Sequence, residues 1–168
     1  MKFIIFDQSI KSHQLKKIDL KKVANVFQSF LSKNKHFLGV NEVNLNLTIC
    51  GNAKILKLNS EYRSKNKVTD VLSFGVHENL RSDSGPFEKN LPVMELGDIV
   101  ICKNVAKKQA IEFKISYEME VIHLMAHGFL HLLGYDHELS KKEEMLMEKF
   151  EQKLVKEIYK SLGLSKGL

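Results

Sequence analysis

The chain is poor in several residue types. Its 168 residues include two cysteines, Cys50 and Cys102, too few for a disulfide framework. That excludes the small stapled scaffolds of secreted proteins and points to a reducing cytoplasm. The two prolines, Pro86 and Pro92, both fall in one polar stretch, so neither breaks a periodic segment. No apolar run approaches the roughly 20 residues that span a bilayer, and no membrane role is expected. The N-terminus, MKFIIFDQSIKSH, reaches Asp7 too soon for a secretory apolar core and lacks a small-residue cleavage site. Repeats, low-complexity blocks and linkers are also missing.

What remains has ordinary globular composition, 43% hydrophobic and 27% charged. The length suits one domain, residues 1–168, burying about two-thirds of the surface its unfolded chain exposes. Net charge is +6, but it is uneven: residues 1–60 carry 10 basic and 3 acidic side chains, residues 121–168 seven of each. A basic N-terminal third, with Lys16, Lys17, Lys21 and Lys22, can attract a polyanion. A lysine-rich solvated surface is the plainer explanation of charge taken alone.

Periodicity predicts alternating strands and helices. Lys2–Asp7 reads as a short buried strand, and Val43–Cys50 alternates with period two, as a strand with one covered face does. Thr69–Phe74 and Gly97–Cys102 read as further strands. Between them, Asp19 is placed to cap a helix carrying Leu20, Val23, Phe27, Phe30 and Leu31, with Asn34 and Gly39 beyond its end. Ala53–Arg63 is helical, with Ile55, Leu58 and Tyr62 on one side, and Asn104 can cap a helix to Phe113. His77–Pro92 is a long loop of the kind that is often functional. Tyr117–Leu133 is an apolar helix with Glu118 and Glu120 near its N-terminus and Gly134 as its stop. Ser140-Lys-Lys-Glu143 is a capping box opening a helix with Leu146, Phe150, Leu154, Ile158 and Leu162 on one face, ended by Gly163. The expected fold is α+β, a mixed sheet packed against helices.

Four of the seven histidines lie between positions 123 and 137. His127 and His131, four apart in a helix, project from one face about 6 Å apart at Cβ, so both rings can reach one ion. Gly134 lets the chain reverse and bring His137 to the same place. The pattern His-x3-His-x2-Gly-x2-His has the ligand spacing of metzincin zinc sites. Three neutral imidazoles leave an ion with open positions, the catalytic rather than the structural arrangement. The bland alternative is a set of core histidines satisfied by hydrogen bonds. His123 continues the series backwards without a glycine break and reads as a packed or supporting residue. In HExxH peptidases the residue after the first histidine is the glutamate that serves as base; here it is Gly128, so the site lacks the peptidase base.

The block His127–His137, HGFLHLLGYDH, resembles the signature of the YbeY family, single-domain metal-dependent endoribonucleases of ribosomal RNA maturation. LNSEYR (Leu58–Arg63), TDVLSF (Thr69–Phe74) and LGDIVIC (Leu96–Cys102) are similar to its other blocks in order and spacing, over roughly residues 40–160. Val68 and Gly75 stand where prolines are common in the family. The resemblance implies one Zn2+ per chain on His127, His131 and His137, with catalysis depending on His127 and Arg63. It also implies single-strand cleavage of RNA in 16S ribosomal RNA 3′-end maturation and ribosome quality control, with ribosomal RNA and the ribosomal subunit as partners. An arginine suits that chemistry, since its planar fork holds two phosphate oxygens; without the resemblance, Arg63 reads as a surface residue at a helix end.

Other residues keep two readings. Asp136 can orient a histidine or act as base, or simply cap a turn, and Asp98 can face the site or satisfy a turn. Ser73 has no base beside it in sequence. Tyr62, Phe74 and Tyr135 can stack on bases, though aromatic residues so placed usually belong to the core. Two other functions stay open: a metal-dependent hydrolase of another substrate, and a non-catalytic ribosome-assembly factor with a structural metal. Three imidazoles also accept nickel or copper. On the RNA reading, the N-terminal lysines would form the landing surface.

Overall fold

The computed structural model describes residues 1–9, 15–81 and 92–164. Its sheet has strands β1 (Lys2–Asp7), β2 (Glu42–Cys50), β3 (Val71–Gly75) and β4 (Val93–Cys102) in the order β1-β2-β4-β3. β1, β2 and β4 run parallel, and β3 pairs antiparallel with β4 at the far edge. The helices are α1 (Leu20–Leu31), α2 (Asn52–Arg63), α3 (Lys103–Glu112), α4 (Tyr117–Leu132) and α5 (Lys141–Leu162), with a 3-10 turn at Lys35–Phe37. Among the described residues, no helix is long and apolar enough to cross a membrane. This is the expected α+β architecture with a mixed sheet.

β2 departs from its expected single covered face. It is a central strand, and Asn44, Thr48 and Cys50 are buried along with Val43, Leu45, Leu47 and Ile49. The main core, with α1, α4 and α5, covers one face of the sheet, while Ile55 and Leu58 of α2 pack with Cys50, Leu72, Val100 and Cys102 in a smaller cluster. Asn44 satisfies its amide nitrogen under this cover, Nδ2 donating to Glu95 Oε1 at 2.7 Å, while its Oδ1 is left without a partner. β1, expected to be buried, is an edge strand in which Phe3 is buried and Phe6 exposed.

The caps follow local chemistry. Asp19 accepts from the N–H groups of Lys21 and Lys22, and Ser116 from that of Met119. Asn104 caps nothing: β4 runs straight into α3 through Cys102, so Asn104 lies in the helix's first turn. Ser140 accepts from Glu143 N–H, but the reciprocal half of the capping box is missing, because the Glu143 carboxylate accepts from Arg81 at 2.6 Å. Most of the predicted 77–92 loop, residues 82–91, lies outside the described residues.

α4 is the helix around which the core is built. Phe129 stacks on Phe27 with ring centroids 4.0 Å apart, and Phe3 meets both rings edge-on. Gly128 faces β4: a Cβ there would lie 3.1 Å from two Ile99 side-chain carbons. A bulge in β4, where Leu45 pairs with Gly97 directly after Asn44 pairs with Glu95, places Gly97 against β3. Its φ is +138°, and a Cβ would lie 2.1 Å from Phe74 O, so only glycine fits.

Candidate metal centre

The site forms where α4 ends beside the β3 edge of the sheet. His127 and His131 occupy the last two turns of α4, and Gly134, at φ +91°, ends the helix. Gly134 N–H donates to His131 O and Tyr135 N–H to Leu130 O, the paired bonds of a Schellman stop. That reversal brings His137 back over the helix end. One ring nitrogen from each of His127, His131 and His137 lies within 4.8 Å of the others, and the Nε2 atoms of His127 and His131 are 3.1 Å apart. Two nitrogens bound to one tetrahedral ion at about 2.05 Å stand roughly 3.3 Å apart, so the cluster can hold a metal. His127 and His131 are half-buried, while His137 is exposed. Burial first, then the neighbouring His127 and His137, pushes His131 down to about 4, so its imidazole is neutral at physiological pH.

Opposite the histidines, α2 ends in Ser64 at φ 54°, and the chain turns towards β3. Buried Asn59 pins that turn, accepting Lys65 N–H on its carbonyl and donating Nδ2–H to Lys67 O at 2.8 Å. Arg63 reaches across the edge strand, its Nη2 3.4 Å from Ser73 O. The two walls enclose a cleft of about 290 Å³, with Arg63, Lys65 and Lys67 on one side and His127, His131 and His137 on the other.

The remaining candidates separate. Asp136 lines the cleft but spends Oδ1 on Glu138 N–H at 2.9 Å, as a turn cap does. Ser73 contributes its carbonyl. Asp98 is exposed and does not line the cleft. Tyr135 is buried core; Tyr62 is 68% exposed, its ring edge-on to Phe74 at 5.2 Å, leaving its outer face open beside Arg63. His123 is not part of the three-histidine cluster and bonds Glu151 through Nε2 at 2.6 Å. Its carboxylate neighbours Glu120 and Glu151 push its pKa up to about 10.

Glu151, on α5, escaped the sequence reading. Its other oxygen is 2.7 Å from His127 Nδ1. Burial alone would raise this carboxyl, but hydrogen bonds from His123 and His127 hold it down at about 2. A signal existed: Glu151 interrupts the stripe of Met147, Leu154 and Ile158 that α5 buries. Lys65 and Lys67 carry no signal in the sequence, where the N-terminal third is richer in basic charge. Among the described residues, none before Asn59 lines the cleft. Lys17 instead meets Glu118 at 3.6 Å, thirteen residues and about 20 Å of helix from His131.

Comparison with known proteins agrees with these blocks. The family model described as endoribonuclease YbeY matches residues 8–159. A protein of Staphylococcus carnosus named endoribonuclease YbeY is 42% identical over 118 residues, 70% of this chain and 73% of its own. One of the same name from Mycoplasmopsis synoviae is 39% identical over 128 residues, 76% and 75%. Another, from Caldicellulosiruptor saccharolyticus, is 38% identical over 156 residues, 90% and 94%. The fold is similar to a solution structure from Thermotoga maritima, with TM-score 0.55 and 24% identity over 94% of this chain and 90% of that one. With its signature histidines gathered at one helix end and the match running through every strand but the first, the chain belongs to the YbeY family of endoribonucleases.

Proposed function

We propose that the protein is a zinc-dependent endoribonuclease that cuts single-stranded RNA, with ribosomal RNA as substrate in 16S 3′-end maturation and quality control. The observation that carries this reading is the two-walled cleft: Arg63, Lys65 and Lys67 face the three imidazoles across a space open to solvent. His127, His131 and His137 would hold the ion. When bound, a divalent ion on such a donor set supplies Lewis acidity towards a phosphoryl oxygen or a water.

The chain's own residues do the rest. Arg63 places its fork where a phosphate enters and neutralises charge that develops on the reacting centre. Lys65 and Lys67 hold flanking phosphates as point charges, and the open face of Tyr62 offers an unpaired base a stacking partner. Gly128 faces Ile99 and provides no base. A reducing, cytoplasmic setting is consistent with Cys50 and Cys102, which are both free.

The test is cleavage of a ribosomal RNA fragment by wild type, Arg63→Ala and His131→Ala, with metal content measured for each. Arg63→Ala should keep its metal and lose about 10²-fold or more in rate, the scale of one charge-stabilising donor; His131→Ala should lose both metal and cleavage. Products ending in 2′,3′-cyclic phosphate would identify the 2′-hydroxyl as nucleophile. Full activity in a metal-free His131→Ala protein would overturn the reading, and a folded wild type that holds zinc yet cuts only small esters would reassign the substrate.

A further inference from the structure

Beyond the three histidines, α4 and α5 share a line of alternating carboxyl groups and imidazoles: buried Glu120, then half-buried His123, Glu151 and His127. We propose that Glu151 is a positioning residue for the metal centre, holding His127 in the one tautomer and orientation that aims Nε2 at the ion, and that His123 holds Glu151 in turn. The inference rests on the assignment of His127, His131 and His137 as ligands.

Hydrogen-bond accounting supplies the reason. An ionised carboxylate only accepts, so the 2.7 Å contact of Glu151 Oε2 requires a proton on His127 Nδ1. A neutral imidazole has one such proton, so Nε2 must carry the lone pair, and it faces His131 Nε2 at 3.1 Å. Glu151's second oxygen takes His123 Nε2–H at 2.6 Å, so rotation of the carboxylate away from His127 would break a second strong bond. His123 is itself braced: its Nδ1 lies 3.8 Å from Oε2 of Glu120, an ion-pair distance, and Glu120 is only 1% exposed. The Glu120 oxygen has no hydrogen-bond partner, and His123 Nδ1 is the ring nitrogen it faces.

Stability alone does not call for a carboxylate at position 151. A charged group on the buried stripe of α5 costs desolvation, and an apolar side chain there would pack as well or better. A carboxylate is warranted because it touches a ligand: partners on the far nitrogen of a ligating histidine fix its ring and raise its basicity.

The experiment measures zinc affinity by chelator competition and the Co2+ absorption spectrum for wild type, Glu151→Gln, Glu151→Ala and His131→Ala, with folding of each metal-free protein followed by circular dichroism. Glu151→Ala should bind zinc about 10–100-fold more weakly than wild type, with an altered cobalt spectrum. Glu151→Gln, whose carbonyl still accepts from His127, should recover part of that loss. If Glu151→Ala fails to fold, Glu151→Met takes its place, because it keeps the length of the side chain and offers neither histidine an oxygen acceptor. Unchanged affinity and spectrum in the folded variant would overturn the proposal. Equal zinc binding by wild type and His131→Ala would instead show that the ligand assignment is wrong.

Discussion

Adding one methyl group to α4 tests why this helix carries glycine between two of its histidines. By propensity, Gly128→Ala should stabilise a helix interior by about 1 kcal/mol. The geometry opposes this. The new Cβ would stand 3.1 Å from Cδ1 and Cγ2 and 3.2 Å from Cγ1 of Ile99, a β-branched residue with no exposed surface. All three carbons crowd it at once, so no single rotation relieves the contact, and overpacking of this kind costs about 1–3 kcal/mol. The net expectation is a loss of about 0–2 kcal/mol where propensity alone predicts a gain. Ile99→Val removes Cδ1 and should cost about 0.5–1.5 kcal/mol by itself. In the double variant the methyl group enters the space Cδ1 vacated, so the two changes should be less than additive by about 0.5–1 kcal/mol. Urea denaturation of the chelated protein measures all four corners of the cycle. A more stable Gly128→Ala protein with strictly additive Ile99→Val would refute close helix–sheet contact here, and with it the explanation that position 128 faces the sheet rather than the cleft. The same geometry predicts that Gly128→Glu buries an unpaired carboxylate against Ile99, destabilises the fold and creates no peptidase.

Two further outcomes follow from the charges. Replacing Lys65 and Lys67 with Gln should weaken binding of a single-stranded oligoribonucleotide and flatten its salt dependence by about 1–1.5 in the log–log slope, since each single-strand phosphate contact contributes about 0.7; Lys21 and Lys22 replacements, on a helix that contributes nothing to the cleft, should leave the slope unchanged. His123 and Glu151 predict a pH window for the metal-free protein. A histidine raised from 6.5 to about 10 stabilises fully below 6.5, and that contribution is lost as pH rises through about 10. A glutamate lowered from 4.5 to about 2 stabilises above 4.5, and that is lost as pH falls through about 2. The pair therefore acts in full between 4.5 and 6.5. His123→Gln should reduce the fall in melting temperature between pH 7 and pH 10, and an undiminished fall would place its origin elsewhere.

Much of this protein can be read from local pattern. The caps at Asp19 and Ser140, the glycine stops at 134 and 163, and the spacing of His127, His131 and His137 are set by neighbours within a few residues. A helix puts positions four apart on one face whatever surrounds it, and glycine reverses the chain wherever a left-handed residue is needed. The family blocks are likewise short runs with fixed order. Which strand lies at an edge is a different kind of fact. Nothing within β1 says that its second neighbour is missing, and nothing within β2 says that a thin second layer covers Cys50.

Only the tertiary structure decided how distant segments meet at the cleft. The N-terminal lysines dominate the charge profile, yet α1 packs over β1 and α5, away from the β3 edge where the cleft opens. Lys65 and Lys67, unremarkable in sequence, line it because Asn59 pins their turn. Glu151 lies fourteen residues beyond the last histidine and reaches His127 because α5 packs back along α4. Sequence alone thus determined the three-histidine cluster, whose spacing is a property of one helix and one turn. The side chains opposing and bracing them come from elements whose proximity depends on packing across the whole core, and no local period encodes it.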